Sequence, residues 1–130
     1  MLSVRARERL SRKTRVAMVA ALLGGAALAA WALYARPHAD RQLAECIARS
    51  GTVLYGTFWC EDCATQKELA AEAAALLPYF ECSTPDGQRQ KDTCRAAGIT
   101  RYPTWVFPEG ARHEGILLLT EAAARAGCTS

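Results

Sequence analysis

The chain has 130 residues, of which 51% are hydrophobic, and a formal net charge of +3. This length accommodates one compact domain and little more. Residues 1–15 hold six basic residues against one acidic residue, so the rest of the chain carries a net charge of about −2, which excludes a basic surface for nucleic acid in the folded part.

The first predicted element is an uncharged run over residues 16–35, rich in Ala and Leu. As a helix, this run would span about 30 Å, the thickness of the hydrocarbon core of a bilayer. The basic flank over residues 1–15 predicts a cytoplasmic N-terminus. A signal peptide cleaved near Ala29 or Ala35 is the alternative, but we favour an uncleaved anchor because the run exceeds the usual signal core of about 7–15 residues. Both interpretations place residues 36–130 outside the cytoplasm.

All six cysteines lie within residues 36–130. An even number of cysteines in a domain of this size indicates an oxidising compartment, where structural disulfides persist. Structural zinc is the alternative interpretation. It is disfavoured because Cys82 and Cys94 are well separated and do not form a second close pair after Cys60 and Cys63.

Two elements precede the close pair of cysteines. Beyond a linker at Arg36-Pro37, apolar residues at helical spacing predict a short helix that ends at Ser50-Gly51. Residues 52–58 are extended and apolar, and they predict the first central strand.

The Cys-X-X-Cys sequence lies where this strand gives way to a helix predicted over residues 64–77. Unpaired N–H groups and the dipole at a helix N-terminus stabilise a thiolate there. We therefore interpret Cys60 as the exposed attacking thiol and Cys63 as the more buried resolving thiol. Trp59 is expected to border the substrate groove. Lys67 is interpreted as a solvated residue, with a role near the sulfurs as the alternative.

The next segment predicts a strand over residues 78–82, a turn over residues 83–87 and a helix over residues 88–97, followed by a glycine. Cys82 at the strand end and Cys94 in the helix enclose a short loop. We expect a disulfide between them, because it would fasten a polar segment rich in turn residues.

The C-terminal part begins with Tyr102-Pro103 before an apolar strand. The proline is either trans at the start of an edge strand, or cis and bringing a backbone turn against another element. Residues 107–111 predict a hairpin turn with a return strand over residues 112–115. A closing helix is predicted over residues 117–126, and Trp105 is expected to fill the core.

After the linker, the predicted elements alternate as helix, strand, helix, strand, helix, strand, strand and helix. This order predicts an α/β fold with a small mixed sheet covered on both faces. A Cys-X-X-Cys near such a pattern indicates a thioredoxin-like domain. The predicted organisation is a basic cytoplasmic tail (1–15), a transmembrane segment (16–35) and a thioredoxin-like domain (36–130).

Two sets of motifs carry a resemblance to known families. The first set, Trp59-Cys60-Glu61-Asp62-Cys63 and Pro103-Thr104, resembles thioredoxins in general. The second set resembles one branch, the thioredoxin-like domain that is fused to, or works beside, bacterial and plant homologues of vitamin K epoxide reductase. It consists of Tyr55-Gly56-Thr57-Phe58-Trp59-Cys60, Gln66-Lys67-Glu68-Leu69, Glu81-Cys82-Ser83 and Cys94-Arg95-Ala96-Ala97-Gly98-Ile99. The resemblance covers residues 40–127.

This resemblance implies a membrane-tethered disulfide carrier. Its Cys-X-X-Cys pair would oxidise thiols on secreted proteins, and a quinone-linked membrane enzyme would reoxidise the pair. Because the sequence holds one apolar span, we expect that enzyme to be a separate polypeptide. The roles implied by position are nucleophile for Cys60, resolving thiol for Cys63, cis proline facing the sulfurs for Pro103, backbone hydrogen bonds to substrate for Tyr102, and a structural disulfide for Cys82 and Cys94.

The residues between the cysteines depart from this branch, whose members commonly have Pro-His where this chain has Glu61-Asp62. A protonated histidine favours the Cys60 thiolate, whereas two nearby carboxylates disfavour it while suiting the helix N-terminus. We therefore predict a Cys60 pKa higher than in strongly oxidising relatives and a disulfide that is harder to reduce.

Cys46 and Cys128 lie outside the recognised pattern. One lies in the helix before the first strand and the other follows the last helix, so a disulfide between them could tie the two ends of the domain together. Two unpaired thiols are the alternative.

Two alternative functions stay open. One is an anchored thioredoxin-like reductant, of the kind that keeps haem-attachment cysteines reduced during cytochrome c maturation, which the acidic Glu61-Asp62 pair favours. The other is a redox-inert structural domain, which would need a buried Cys60. The sequence contains no phosphate-binding glycine loop, nucleophilic serine constellation or metal-ligand cluster, so we expect no cofactor. His38 and His113 are interpreted as surface residues.

Overall fold

A computed structural model describes residues 4–128, with side chains from residue 12 onward. The chain divides into two compact units, Met1–Arg36 and Pro37–Ser130, and each is considered by itself. Most side chains of the basic tail predicted over residues 1–15 lie outside the described part. The three domain boundaries taken from the sequence stay predictions.

Helix α1 runs over Val4–Ser50 and contains Pro37. The linker predicted at Arg36-Pro37 is therefore wrong as secondary structure. An internal proline removes one hydrogen bond and crowds the preceding turn, but alanine and arginine residues on both sides of Pro37 are strong helix formers, and the helix continues through it. Within Arg12–Ser50 a segment is long and apolar enough to cross a membrane. A signal sequence has the same properties, so this is a weak sign of a single-pass anchor.

A four-stranded mixed sheet forms the centre of the second unit. Its strands are β1 (Val53–Gly56), β2 (Tyr79–Glu81), β3 (Thr104–Val106) and β4 (Arg112–Glu114). They lie in the order β2-β1-β3-β4. β1 pairs parallel with β2 and antiparallel with β3, and β3 pairs antiparallel with β4. The predicted α/β fold with a mixed sheet is confirmed, and the architecture is consistent with a thioredoxin-like domain.

Hydrophobic clusters cover both faces of this sheet. Leu54 and Trp105 belong to the larger cluster, which α1 joins through Ala44 and Ile47. Their strand neighbours Tyr55 and Val106 pack against a smaller cluster around Cys82, Cys94 and Ile99. Since successive residues of a strand point to opposite faces, the two clusters lie on opposite sides of the sheet. Trp105 is fully buried in the core, as predicted.

The helix after the cysteine pair differs from its prediction over residues 64–77. Helix α2 starts earlier and covers Glu61–Ala70. A separate 3-10 helix, Ala71–Leu76, follows. Ala71 has a φ of 46°, outside the right-handed helical region, so the α-helix ends there. A run of alanines gave no sequence signal for this break.

The later helices are shorter than predicted. Helix α3 covers Asp92–Ala96 rather than residues 88–97. The difference arises because Gln90 pairs with Ser83 in an isolated bridge and the Lys91 amide donates to the Cys82 carbonyl at 2.7 Å. Helix α4 covers Leu119–Arg125, within the predicted closing helix.

Gln66 of α2 fastens the segment between β4 and α4. Its side chain is buried; the amide nitrogen donates to the Leu117 carbonyl at 2.9 Å, and the amide oxygen accepts from the Leu117 N–H at 2.7 Å. The Trp105 indole N–H donates to the same oxygen at 3.4 Å. One amide therefore satisfies both backbone groups of a buried residue.

Replacing Gln66 by Leu is expected to lower the free energy of unfolding by about 3 kcal/mol, because the buried N–H and C=O of Leu117 lose their partners. Urea unfolding of the full chain in detergent, followed by circular dichroism, measures the loss. Gln42→Leu, on an exposed part of α1, is the matched control and should change stability by less than about 0.5 kcal/mol. Equal stability of the two variants would contradict this anchoring role.

Candidate redox site

The end of β1 and the start of α2 place the two sulfurs. The chain turns at Thr57, whose carbonyl accepts from the Cys60 N–H at 3.2 Å. Cys60 then caps α2 in an extended conformation, with φ −82° and ψ 118°. Its Sγ accepts a hydrogen bond from the Cys63 N–H at 3.1 Å. The first sulfur therefore lies against the positive end of the helix.

Cys60 and Cys63 form a disulfide with a Cα–Cα distance of 5.2 Å. Cys63 is 2% exposed, whereas Cys60 is only partly buried. A thiolate from outside can therefore approach the Cys60 sulfur more readily than the Cys63 sulfur. This difference in access suits Cys60 to form a mixed disulfide and Cys63 to resolve it.

Glu61 and Asp62 occupy the first turn of α2, and both side chains are exposed. Carboxylates at this position interact favourably with the helix dipole. Water screens their effect on the neighbouring sulfur. Their tuning of the Cys60 thiol stays a prediction.

An open depression of about 540 Å³ lies beside Cys60. It brings together Trp59 and Tyr102, whose rings meet edge to face with centroids 6.0 Å apart. Trp59 is 58% exposed. The other lining residues are Glu61, Asp62, Thr100 and Arg101. Cys60 lines the same depression, which leaves its sulfur open to an approaching thiol.

The Tyr102–Pro103 peptide bond is cis. Pro103 is fully buried and does not line the depression beside Cys60. Its carbonyl accepts from the Gly115 N–H at 2.7 Å. The hydroxyl of Tyr102 accepts from the Gln90 amide at 2.7 Å. The substrate contacts expected of Tyr102 and Pro103 stay predictions.

A second depression, of about 380 Å³, shares Trp59, Thr100 and Tyr102 with the first. Trp59 lines both depressions, and its indole N–H donates to the Ser83 hydroxyl at 3.1 Å. Phe58, 60% exposed, lies beside it in the sequence. These two aromatic side chains give the surface around the disulfide an apolar character.

The domain contains two further disulfides, and Cys82 of one of them lines the second depression. Cys82 and Cys94 are joined with a Cα–Cα distance of 5.7 Å, and both are fully buried. Cys46 and Cys128 are joined with a Cα–Cα distance of 6.0 Å and are partly exposed. In the described residues, no group of three or more His, Cys, Asp or Glu side chains could hold a metal ion.

Sequence reasoning assigned no site role to Gly56 or Tyr79, which lie beside Cys63, and raised Lys67 only as an alternative. Gly56 of β1 lies against both Cys63 and Tyr79 of β2. The Tyr79 hydroxyl donates to Glu81 at 3.0 Å, and the Lys67 ammonium lies 3.6 Å from the centroid of the Tyr79 ring. A glycine inside a predicted strand, next to a redox motif, is a sequence signal of close approach that could have found this region.

Replacing Gly56 by Ala is expected to destabilise the oxidised protein by about 1–3 kcal/mol through overpacking. An ideal Cβ there would lie 2.7 Å from Tyr79 Cε2 and 3.0 Å from Cys63 Sγ. Urea unfolding measures the loss. Gly24→Ala, where nothing lies within 4 Å of the added atom, is the control and should lose nothing. An unchanged Gly56→Ala variant would show that the ring and sulfur move apart without cost.

No protein-family model matches the chain. A search of curated proteins found similarity to the thiol-disulfide oxidoreductase LTO1 of Arabidopsis thaliana, with 40% identity over 70 residues. The match covers 50% of this chain and 18% of that protein, so this chain corresponds to a small part of its relative. The similarity supports a relationship to thiol–disulfide oxidoreductases.

Proposed function

We propose that this chain is a membrane-anchored thiol–disulfide oxidoreductase that exchanges disulfides with secreted proteins. The observation that carries the proposal is the Cys60–Cys63 disulfide at the start of α2, with one accessible and one buried sulfur. The similarity to a thiol-disulfide oxidoreductase supports the same chemistry.

In the oxidising direction, a substrate thiolate attacks Cys60 Sγ and breaks the Cys60–Cys63 bond, so Cys63 leaves with the electron pair. The new bond joins the substrate sulfur to Cys60. A second substrate thiolate then attacks the substrate sulfur of this mixed disulfide, and Cys60 leaves as a thiolate. The substrate is oxidised to a disulfide, and the cysteine pair is reduced to a dithiol.

The reduced pair must then return its two electrons to an acceptor. We propose a separate quinone-linked membrane oxidoreductase, similar to vitamin K epoxide reductase, as that acceptor. The branch-specific motifs around Cys60, Cys82 and Cys94 support this assignment. An anchor over residues 16–35, with the basic flank in the cytoplasm, would hold the domain in the periplasm or a comparable lumen, within reach of such a partner.

The alternative is an anchored reductant of the kind used in cytochrome c maturation. The specific observation in its favour is the exposed Glu61-Asp62 pair in the first turn of α2. Two negative charges near Cys60 destabilise its thiolate and hence the reduced form of the pair. A pair that loses electrons easily suits a donor.

The reduction potential of the Cys60–Cys63 pair distinguishes the two directions. The full chain in detergent is equilibrated with glutathione buffers, and alkylated cysteines are located by peptide mass mapping. A potential above about −200 mV supports the oxidant, and a value near about −270 mV supports the reductant. A pair that does not titrate would overturn both and leave a structural disulfide.

Removing the two charges with Glu61→Gln and Asp62→Asn is expected to raise this potential by about 10–30 mV. The physical reason is that the Cys60 thiolate, and with it the reduced pair, becomes more stable. The same glutathione titration measures the shift, and the exposed Glu72→Gln variant in the following 3-10 helix is the control. A shift to lower potential would contradict the predicted tuning.

A further inference from the structure

The Tyr79 hydroxyl and the buried sulfur of the redox pair both lie close to Gly56 of β1. An ideal Cβ built on Gly56 would lie 2.9 Å from the Tyr79 hydroxyl and 3.0 Å from Cys63 Sγ. The hydroxyl and the sulfur thus lie next to the same point above β1. Cys63 is 2% exposed, so its proton has little direct access to water.

Tyr79 is connected in turn to a fixed carboxylate. Its hydroxyl donates to Glu81 Oε2 at 3.0 Å, and the Ser83 N–H donates to Glu81 Oε1 at 2.8 Å. Both carboxylate oxygens are therefore held, while the side chain of Glu81 stays partly exposed. A proton that reaches Glu81 can pass to solvent.

The charged groups at Tyr79 are Glu81 of β2 and Lys67 of α2, whose ammonium lies over the ring; β1 contributes the uncharged Gly56 at this point. Burial, followed by the hydrogen bond and the negative charge of Glu81, raises the pKa of Tyr79 well above its usual value. The hydroxyl therefore stays protonated, and it can pass a proton on but does not store one.

We propose that Tyr79 and Glu81 form the proton path of Cys63. This proposal rests on the function proposed above and specifies the residues that serve the buried thiol. In the resolving step, Cys63 attacks Cys60 Sγ of a mixed disulfide, and the substrate sulfur leaves with the electron pair. The Cys63 proton moves to the Tyr79 oxygen, and the hydroxyl proton of Tyr79 moves to the Glu81 carboxylate.

The same path runs backwards when a substrate thiolate opens the Cys60–Cys63 disulfide. Cys63 then leaves as a thiolate in a site that disfavours buried charge. A proton from Glu81, relayed through Tyr79, converts it to the neutral thiol. Tyr79 is unchanged after proton transfer in either direction. The net result is that a proton is exchanged between Cys63 and solvent.

The experiment follows one turnover of the reduced full chain in detergent with glutathione disulfide, using acid quenching and mass spectrometry. Formation of the glutathione adduct at Cys60 reports the first attack, and its decay reports the attack by Cys63. Tyr79→Phe is expected to slow the decay at least about tenfold at neutral pH and to leave the formation rate unchanged. At alkaline pH, hydroxide deprotonates Cys63 directly, and the two decay rates should converge.

Glu81→Gln should show the same pH-dependent loss, and it keeps the Tyr79 ring in place should Tyr79→Phe fail to fold. Tyr55→Phe, on the opposite face of the sheet against Phe80, is the matched control and should decay at the wild-type rate. A slowing by the same factor at every pH, or no slowing, overturns the proton path alone. A wild-type chain that forms no adduct overturns the proposed function and the proton path together.

Discussion

Replacing Cys63 by Ser is expected to stop turnover and to trap substrates on the protein as mixed disulfides at Cys60. Cys60 carries the accessible sulfur, which accepts a hydrogen bond from the backbone N–H of residue 63 at the start of α2. The substitution keeps this backbone N–H, so the Cys60 thiolate can still attack a substrate disulfide. A serine hydroxyl cannot displace the bound substrate. The turnover rate should therefore fall at least about a thousandfold while adduct formation persists.

Non-reducing electrophoresis and mass spectrometry of the full chain, incubated with a disulfide-containing protein, measure the trapped species. Cys60→Ser should form no adduct, because the remaining sulfur is buried. The unchanged chain keeps both sulfurs of the redox pair and is the control, which should release its substrate rather than trap it. Trapping by Cys60→Ser in place of Cys63→Ser would reverse the assigned roles of the two sulfurs.

The elements that the sequence predicted well are those with strong local signals. β1 and the hairpin formed by β3 and β4 each combine an apolar run with turn residues. The order of these elements was sufficient for the α/β fold with a mixed sheet. The register and the order β2-β1-β3-β4 depend on long-range pairing, for which a single sequence carries no direct signal.

The errors arose where tertiary contacts override local propensity. Residues 88–91 have helical propensity, but the bridge between Ser83 and Gln90 holds them out of α3. The break at Ala71 lies among good helix formers, so propensity alone predicts the opposite. Pro37 is the reverse case, because a residue that usually ends helices lies within one.

The site shows the same division between local and long-range signals. Cys60, Cys63 and Trp59 are adjacent in the sequence, and their arrangement follows from one turn between a strand and a helix. Tyr79 lies beside Gly56 and the buried sulfur, with Glu81 bonded to its hydroxyl, only because β2 pairs parallel with β1. A position on a neighbouring strand has no fixed sequence distance from the motif, so pattern reasoning assigned these residues to the sheet alone.

Removing the Cys46–Cys128 disulfide is expected to give the largest loss of stability without a loss of exchange chemistry. This bond joins Cys46, near the end of α1, to Cys128, the third residue after α4, across 82 positions of sequence. Closing a loop of this length reduces the entropy of the unfolded chain and stabilises the fold by about 4.5 kcal/mol in the chain-entropy model. The bond lies away from Cys60 and Cys63, so the first attack on a substrate should be unaffected.

Urea unfolding of the Cys46→Ala, Cys128→Ala double variant, with Cys60 and Cys63 oxidised, measures the loss. Each single variant breaks the same bond, so the free energy of unfolding should fall nearly as much in each as in the double variant. Independent packing contributions of the two side chains would instead add up in the double variant. The adduct-formation rate at Cys60 should match that of the unchanged chain. A loss below about 1 kcal/mol would mean that packing of Ala44, Ile47 and Ala123 already holds the two ends together without the covalent link.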